Sequence, residues 1–134
     1  MYKRQPQATE IAVLPDSSKA FIACSGSHQV MALGLAHAED KTGPAEVDRL
    51  LTMLDVGPSP VDLALKPDGG EIFVSNYGGE TISEIATGTT EVGGAYVVGA
   101  HPVRALASAD NTLLWVANFA ANTIAVYSLS LIHI

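Results

Sequence analysis

VGPSPVDLALKPDGGEIFVSNYGGETISEI, running from Val56 to Ile85, returns as VGAHPVRALASADNTLLWVANFAANTIAVY from Val98 to Tyr127. The two stretches align without a gap at an offset of 42 residues. Val56/Val98, Gly57/Gly99, Pro60/Pro102, Asp68/Asp110, Asn76/Asn118 and Thr81/Thr123 are identical pairs. Phe73/Trp115 and Tyr77/Phe119 exchange one aromatic ring for another. A weaker third copy occupies Thr9 to Leu33 at an offset of 52. There Ala12, Pro15, Asp16, Phe21 and Gly26 fall opposite Ala64, Pro67, Asp68, Phe73 and Gly78. A period in the low forties made of short β segments is the signature of a propeller array.

Each copy divides into strands at its turn residues. The first gives strands at Thr9–Leu14, Lys19–Cys24, His28–Leu35 and Arg49–Val56, with the polar run Ala36–Asp48 as an exposed excursion. The second gives Val61–Lys66, Glu71–Asn76, Thr81–Ala86 and, after a loop at Thr87–Gly93, Gly94–Val98. The third gives Val103–Ser108, Thr112–Asn118 and Asn122–Ser128, with no fourth strand. In the turns at Pro15-Asp16 and Pro67-Asp68, proline sets φ and aspartate can bond the backbone two residues on. The apolar runs are continuous rather than alternating, as two-sided burial requires. Leu63-Ala64-Leu65 stands opposite Ala105-Leu106-Ala107, an exchange of bulk and gap that suits interdigitating sheets. The predicted fold is all-β: about three four-stranded antiparallel blades of a β-propeller, the last incomplete. Their bounds are 6–56, 57–98 and 99–128.

The wording VGxxPxxLAxxPDG…FVSNYGxxTIS resembles the YVTN β-propeller repeat family, whose strand is written here as Phe73-Val74-Ser75-Asn76 and Trp115-Val116-Ala117-Asn118. The resemblance covers about Thr9 to Tyr127. It implies that this chain is a segment of a seven-bladed propeller, and that the remaining blades of a parent chain are its nearest partners. It also implies a periplasmic or extracellular setting in a bacterium.

Residues 1–5 and 129–134 fit no blade. Met1–Gln5 can be encoded by GTG TAT AAG AGA CAG and Leu129–Ile134 by CTG TCT CTT ATA CAC ATC. These strings are reverse complements over their shared length and resemble a transposon end used to fragment DNA. Both segments are therefore expected to be a non-native leader and tail around a piece of a longer gene. An ordinary short apolar tail is the alternative.

The chain has 134 residues, 48% of them hydrophobic and 16% charged, with a formal net charge of −7. An acidic balance argues against sequence-independent nucleic-acid binding, which depends on Lys and Arg at phosphates. No apolar run reaches the ~18 residues of a membrane span. Cys24 is the one cysteine, which excludes an internal disulfide and a thiolate cage. It takes the place of Asn76 and Asn118 and is expected to be a small buried hydrophobe.

Chemistry in a propeller gathers on the face formed by inter-blade loops and second-to-third-strand turns. Glu10, Asp62 and Arg104 are equivalent positions at the start of three inner strands and could line a channel mouth; ordinary solvated strand ends are the alternative. His101, in an inter-blade loop, and Asn76 and Asn118, at strand ends, complete the candidate ligand-binding set. The asparagines are also expected to cap turns, as are Asp68 and Asp110 at the opposite end. Tyr77 and Phe119 could stack on a ligand or close the gap between blades. His101 and His28 lack further residues at ligand spacing, so no metal site is expected, and no cofactor either. The sequence contains no GxSxG, P-loop, HExxH or CxxC. The Gly78-Gly79 and Gly93-Gly94 pairs read as turn glycines.

These readings favour a non-enzymatic scaffold that binds a protein or a small polar ligand. The resemblance also admits a lactonase-like hydrolase of sugar lactones, or an electron-transfer propeller of quinoprotein type. A three-blade piece leaves apolar faces uncovered, so poor solubility is expected of it alone.

Overall fold

The computed structural model describes residues 8–35 and 48–129. Eleven strands follow in order: β1 Ala8–Val13, β2 Lys19–Cys24, β3 Gln29–Gly34, β4 Arg49–Asp55, β5 Pro60–Leu65, β6 Glu71–Asn76, β7 Thr81–Ala86, β8 Glu91–Val97, β9 Pro102–Ala107, β10 Leu113–Asn118 and β11 Thr123–Ser128. They form three sheets of consecutive antiparallel strands, β1 to β4, β5 to β8 and β9 to β11. Most of the Ala36–Asp48 excursion lies outside the described residues, as do both chain ends.

The sheets spread like vanes. β5 packs between β1 and β9, whereas the outer strands β4 and β8 meet only slightly. Such an arrangement lets both faces of the middle sheet be buried, and strand parity divides them. Leu63, Leu65, Ile72, Val74 and Ile85 face the first sheet and meet Ala12, Phe21, Ala23, Val30 and Ala32. Ala64, Phe73 and Ile82 face the third sheet and meet Ala105, Ala107, Leu114, Val116 and Tyr127. At the first junction Ala12, Ala23 and Ala32 leave room for these side chains while Phe21 and Val30 fill the space between them, as close packing requires. The second junction differs from the expected exchange of bulk and gap. Ala64, Ala105 and Ala107 all lie there together, Phe73 supplies the volume, and Leu106 points away at 64% exposure. Leu129, read as the start of a tail, is 1% exposed within this second cluster, its amide donating to Thr112 O at 2.8 Å.

Turn chemistry at one end follows the sequence. Asp16, Asp68 and Asp110 each accept, through Oδ1, the amide two residues on, from Ser18, Gly70 and Thr112 at 3.0, 2.8 and 3.1 Å. The residue between is left-handed in all three, with φ 61° at Ser17, 77° at Gly69 and 64° at Asn111. Glycine, asparagine and serine meet that demand with little strain or with local hydrogen bonding.

One boundary moves. β8 begins at Glu91, so the expected Thr87–Gly93 loop is a short turn and Gly93-Gly94 lie within the strand. Gly93 is the extra residue of a bulge between Glu84 and Ile85 on β7. A Cβ at Gly93 would lie 3.5 Å from the Glu84 carboxylate, and one at Gly94 would lie 3.4 Å from the Tyr96 hydroxyl. The glycines give these polar groups room within the sheet.

Candidate functional site

The inter-blade loops and the β2–β3, β6–β7 and β10–β11 turns gather at the end opposite the aspartate turns. Gly57 and Asn76, paired in the repeat with Gly99 and Asn118, prove to be neighbours in space. A Cβ at Gly57 would stand 2.7 Å from Asn76 Nδ2, and one at Gly99 would stand 2.8 Å from Asn118. Asn118 Oδ1 accepts the Gly99 amide at 3.2 Å, while its Nδ2 donates to Thr123 Oγ1 at 3.4 Å. Asn76 Nδ2 donates to Thr81 Oγ1 at 3.1 Å and Ser83 Oγ at 3.0 Å. Asn76 and Asn118 are buried, at 0% and 3% exposure; Asn118 holds the Gly99 loop and Asn76 braces the start of β7. Residue type alone does not reveal this burial. In the first sheet Cys24 replaces this asparagine and is buried, and burial pushes its thiol pKa up.

The start of each inner strand carries a bulge. Register shifts fall between Ala8 and Glu10, between Pro60 and Asp62, and opposite Ala117 and Asn118, so Thr9, Val61 and Val103 are the extra residues. A bulge re-aims the side chain that follows it, and those residues are Glu10, Asp62 and Arg104. They pair across with Ala23, Ser75 and Ala117, which confirms one shared register. Thr9 Oγ1 donates to Pro60 O at 3.1 Å and ties the first two inner strands together at this level.

Asp62 is the centre of this set. It is 4% exposed, and its Oδ2 accepts the Ala105 amide of the neighbouring strand at 3.0 Å. Burial raises its pKa above the usual carboxylate range, the amide and the Arg104 charge oppose that rise, and the Glu10 carboxyl adds to it by charge and hydrogen bonding. Glu10 is half-buried and Arg104 exposed. A buried acid, a second carboxyl and a guanidinium therefore share one rim.

His101 sits in the loop before β9 with φ 54°, a left-handed conformation that costs ordinary residues about 1 kcal/mol or more. Its ring stacks on Tyr77 at 4.6 Å between centroids, and its Nδ1 lies 2.7 Å from Tyr77 O. Tyr77 thus closes the gap between the second and third sheets. Phe119, its counterpart, is 66% exposed. His28 is exposed, and among the described residues no three His, Cys, Asp or Glu side chains are grouped to hold a metal ion.

A second polar cluster went unnoticed in the sequence, although Glu84 interrupts the apolar run of β7. Glu84 is 6% exposed on the face toward the third sheet and accepts the Tyr96 hydroxyl at 3.0 Å. Burial, then hydrogen bonding with Glu71, raises its pKa from 4.5 to about 7 against the opposing effects of Tyr96 and Lys66. Lys66 Nζ donates to Glu71 at 3.0 Å and lies 3.5 Å from Asp68. A cleft of about 520 Å³ between the first two sheets is lined by Ser18, Lys19, Arg49 and Thr90 among others. Lys19 Nζ is already engaged by Thr87 O, Gly88 O and Thr90 Oγ1, so this roomier cleft is a clasp between sheets rather than a receptor.

Comparison with solved structures decides the architecture. Hydrazine synthase of Kuenenia stuttgartiensis matches with a TM-score of 0.80 at 21% identity, over 97% of this chain and 35% of its own. The Cps50 (Swd1) β-propeller domain of Myceliophteria thermophila matches at 0.74 and 9% identity, over 90% of this chain and 40% of its own. The chain folds as part of a β-propeller. Its sheets are blades, and it spans about a third to two-fifths of the chains it matches. A candidate 6-phosphogluconolactonase from Bacteroides fragilis matches at 0.72 and 16% identity, over 89% of this chain and 34% of its own. No family model matches the propeller segment. No curated protein matches it either.

Proposed function

We propose that this segment is a non-enzymatic binding scaffold of YVTN type, taking a small polar ligand at the channel mouth through Glu10, Asp62 and Arg104. The observation that carries the reading is the bulge repeated in all three inner strands, which brings these side chains to one rim. Burying Asp62 there is costly, and its bond from the Ala105 amide offsets only part of that cost. Charge of both signs suits a ligand with hydroxyl and carboxylate groups. Asn118 accepts the Gly99 amide and so holds one inter-blade loop beside the rim, which preorganises it and lowers the cost of binding.

A lactonase-like hydrolase is the second reading, supported by the juxtaposed Glu10 and Asp62 carboxyls and the raised Asp62 pKa, since perturbed acids gather at catalytic sites. One experiment separates the two. The chain is incubated with glucono-δ-lactone and with gluconate, with and without a divalent cation, while heat release and lactone loss are followed. The scaffold reading expects binding without turnover, weakened about tenfold or more by Arg104→Ala or Asp62→Asn. Hydrolysis above background that disappears in Asp62→Asn refutes the scaffold. Binding that neither substitution changes refutes the rim.

A further inference from the structure

We propose that Ser75 is a positioning residue of the rim: its buried hydroxyl donates to the Asp62 carboxylate, directly or through one water, and holds it in the form that accepts a ligand hydroxyl. The consequence for the ligand rests on the rim reading, whereas the bond to Asp62 does not. Strand geometry brings the two side chains together. Ser75 lies directly across from Asp62 in the β5–β6 register. Side chains alternate along a strand, so Asp62 shares its face with Ala64 and Ser75 shares its face with Phe73, both of which meet the third sheet. The Ala105 amide of that sheet reaches Asp62 Oδ2 at 3.0 Å and holds the carboxyl on the same side. Opposed residues on one face of an antiparallel pair have Cβ atoms roughly 5 Å apart. A hydroxyl and a carboxyl oxygen extending from such a pair come within reach of each other or of one shared water.

Donor and acceptor answer each other across that pair. Ser75 is 0% exposed, and among the described residues its Oγ has no hydrogen-bond partner. A hydroxyl taken out of water without a partner is costly. Asp62 has the complementary need, because an ionised carboxylate offers about four acceptor sites. The Ala105 amide fills one of them, while burial and the Glu10 carboxyl disfavour the charge. The charged groups facing Asp62 are thus Glu10 from β1, which opposes its ionisation, and Arg104 from β9, which favours it. Ser75 adds a neutral donor from β6. The repeat singles this hydroxyl out. Glu10 and Arg104 stand across from Ala23 and Ala117 at the same register, so alanine satisfies the strand at this position. At the first junction the acid opposite alanine is half-buried Glu10; at the second, the acid opposite serine is buried Asp62.

The test follows the aspartate carboxyl carbon-13 resonances of the full chain against pH, with the Asp62 signal assigned by its loss in Asp62→Asn. Losing a donor to the charged form raises a carboxyl pKa. Ser75→Ala should therefore move the Asp62 midpoint upward by about one pH unit, a tenfold change in its ionisation constant. Alanine stands at this position in the other two blades, so the change suits the strand. Ser75→Cys keeps a side chain of similar size with only a weak donor, and it should move the midpoint in the same direction. Gluconate affinity, measured over the same pH range, should change as Asp62 ionises, its inflection moving with the midpoint in each variant. A midpoint unchanged in Ser75→Ala overturns the proposal. So does a shift in Ser75→Ala that Ser75→Cys does not share, since packing alone would then account for it. An inflection that stays fixed while the midpoint moves overturns the role toward the ligand. Failure of the parent chain to bind gluconate at any pH refutes the rim reading instead, and the midpoints still decide the bond between Ser75 and Asp62.

Discussion

Glu84 gives the propeller segment a pH dependence opposite to that of most carboxylates. Burial and the neighbouring Glu71 hold its pKa near 7, against 4.5 for a free side chain. Between those values the folded chain therefore retains a proton that the unfolded chain has released. Stability falls as pH rises through that window, is fully present below about pH 4.5, and levels off above pH 7. At ~1.4 kcal/mol for each pKa unit, the swing is roughly 3 kcal/mol. Glu84→Gln keeps the shape and the acceptor for Tyr96 while removing the titration. Its new amide hydrogens face Glu71, which can accept one. Urea unfolding followed by circular dichroism from pH 4.5 to 8.5 measures the effect. The parent should lose about 3 kcal/mol across the range, and the Gln variant should lose most of that slope. Asp62, also raised, leaves a residual dependence of the same sign, so the Gln profile need not be flat. Equal slopes in parent and variant, or stability rising with pH, would refute the reasoning.

Two further outcomes follow from the packing. Gly57→Ala places a methyl group 2.7 Å from the buried Asn76 side chain, so the domain should lose about 1–3 kcal/mol in urea unfolding; Gly88→Ala, whose Cβ meets nothing within 4 Å, is the control and should change little. Cys24, buried with its pKa raised, should resist a thiol reagent in native buffer and react fully in denaturant, and rapid native labelling would contradict its burial.

The blades were legible in the sequence because their information is local. Pro67-Asp68-Gly69 and Ala109-Asp110-Asn111 specify turns through φ and a side-chain hydrogen bond two residues away, and the aromatic and aliphatic runs between them specify strands. A repeat doubles that signal, since the same chemistry must recur wherever the same junction recurs. The equivalence of Glu10, Asp62 and Arg104 was likewise visible, because identical offsets place them in one register.

Burial and partnership came only from tertiary structure. Asn76 and Asn118 look like surface ligands in one dimension, yet the close approach of Gly57 and Gly99 encloses them. Gly93-Gly94 resembles a turn, but its bulge sits inside β8 to admit the Glu84 carboxyl. Glu84 itself is an ordinary charged residue until Glu71, Tyr96 and Lys66 surround it from two strands and a turn. Such properties depend on which faces meet and how much water is excluded. Strand parity sets the faces residue by residue, but only the packing of one blade on the next decides what each face touches.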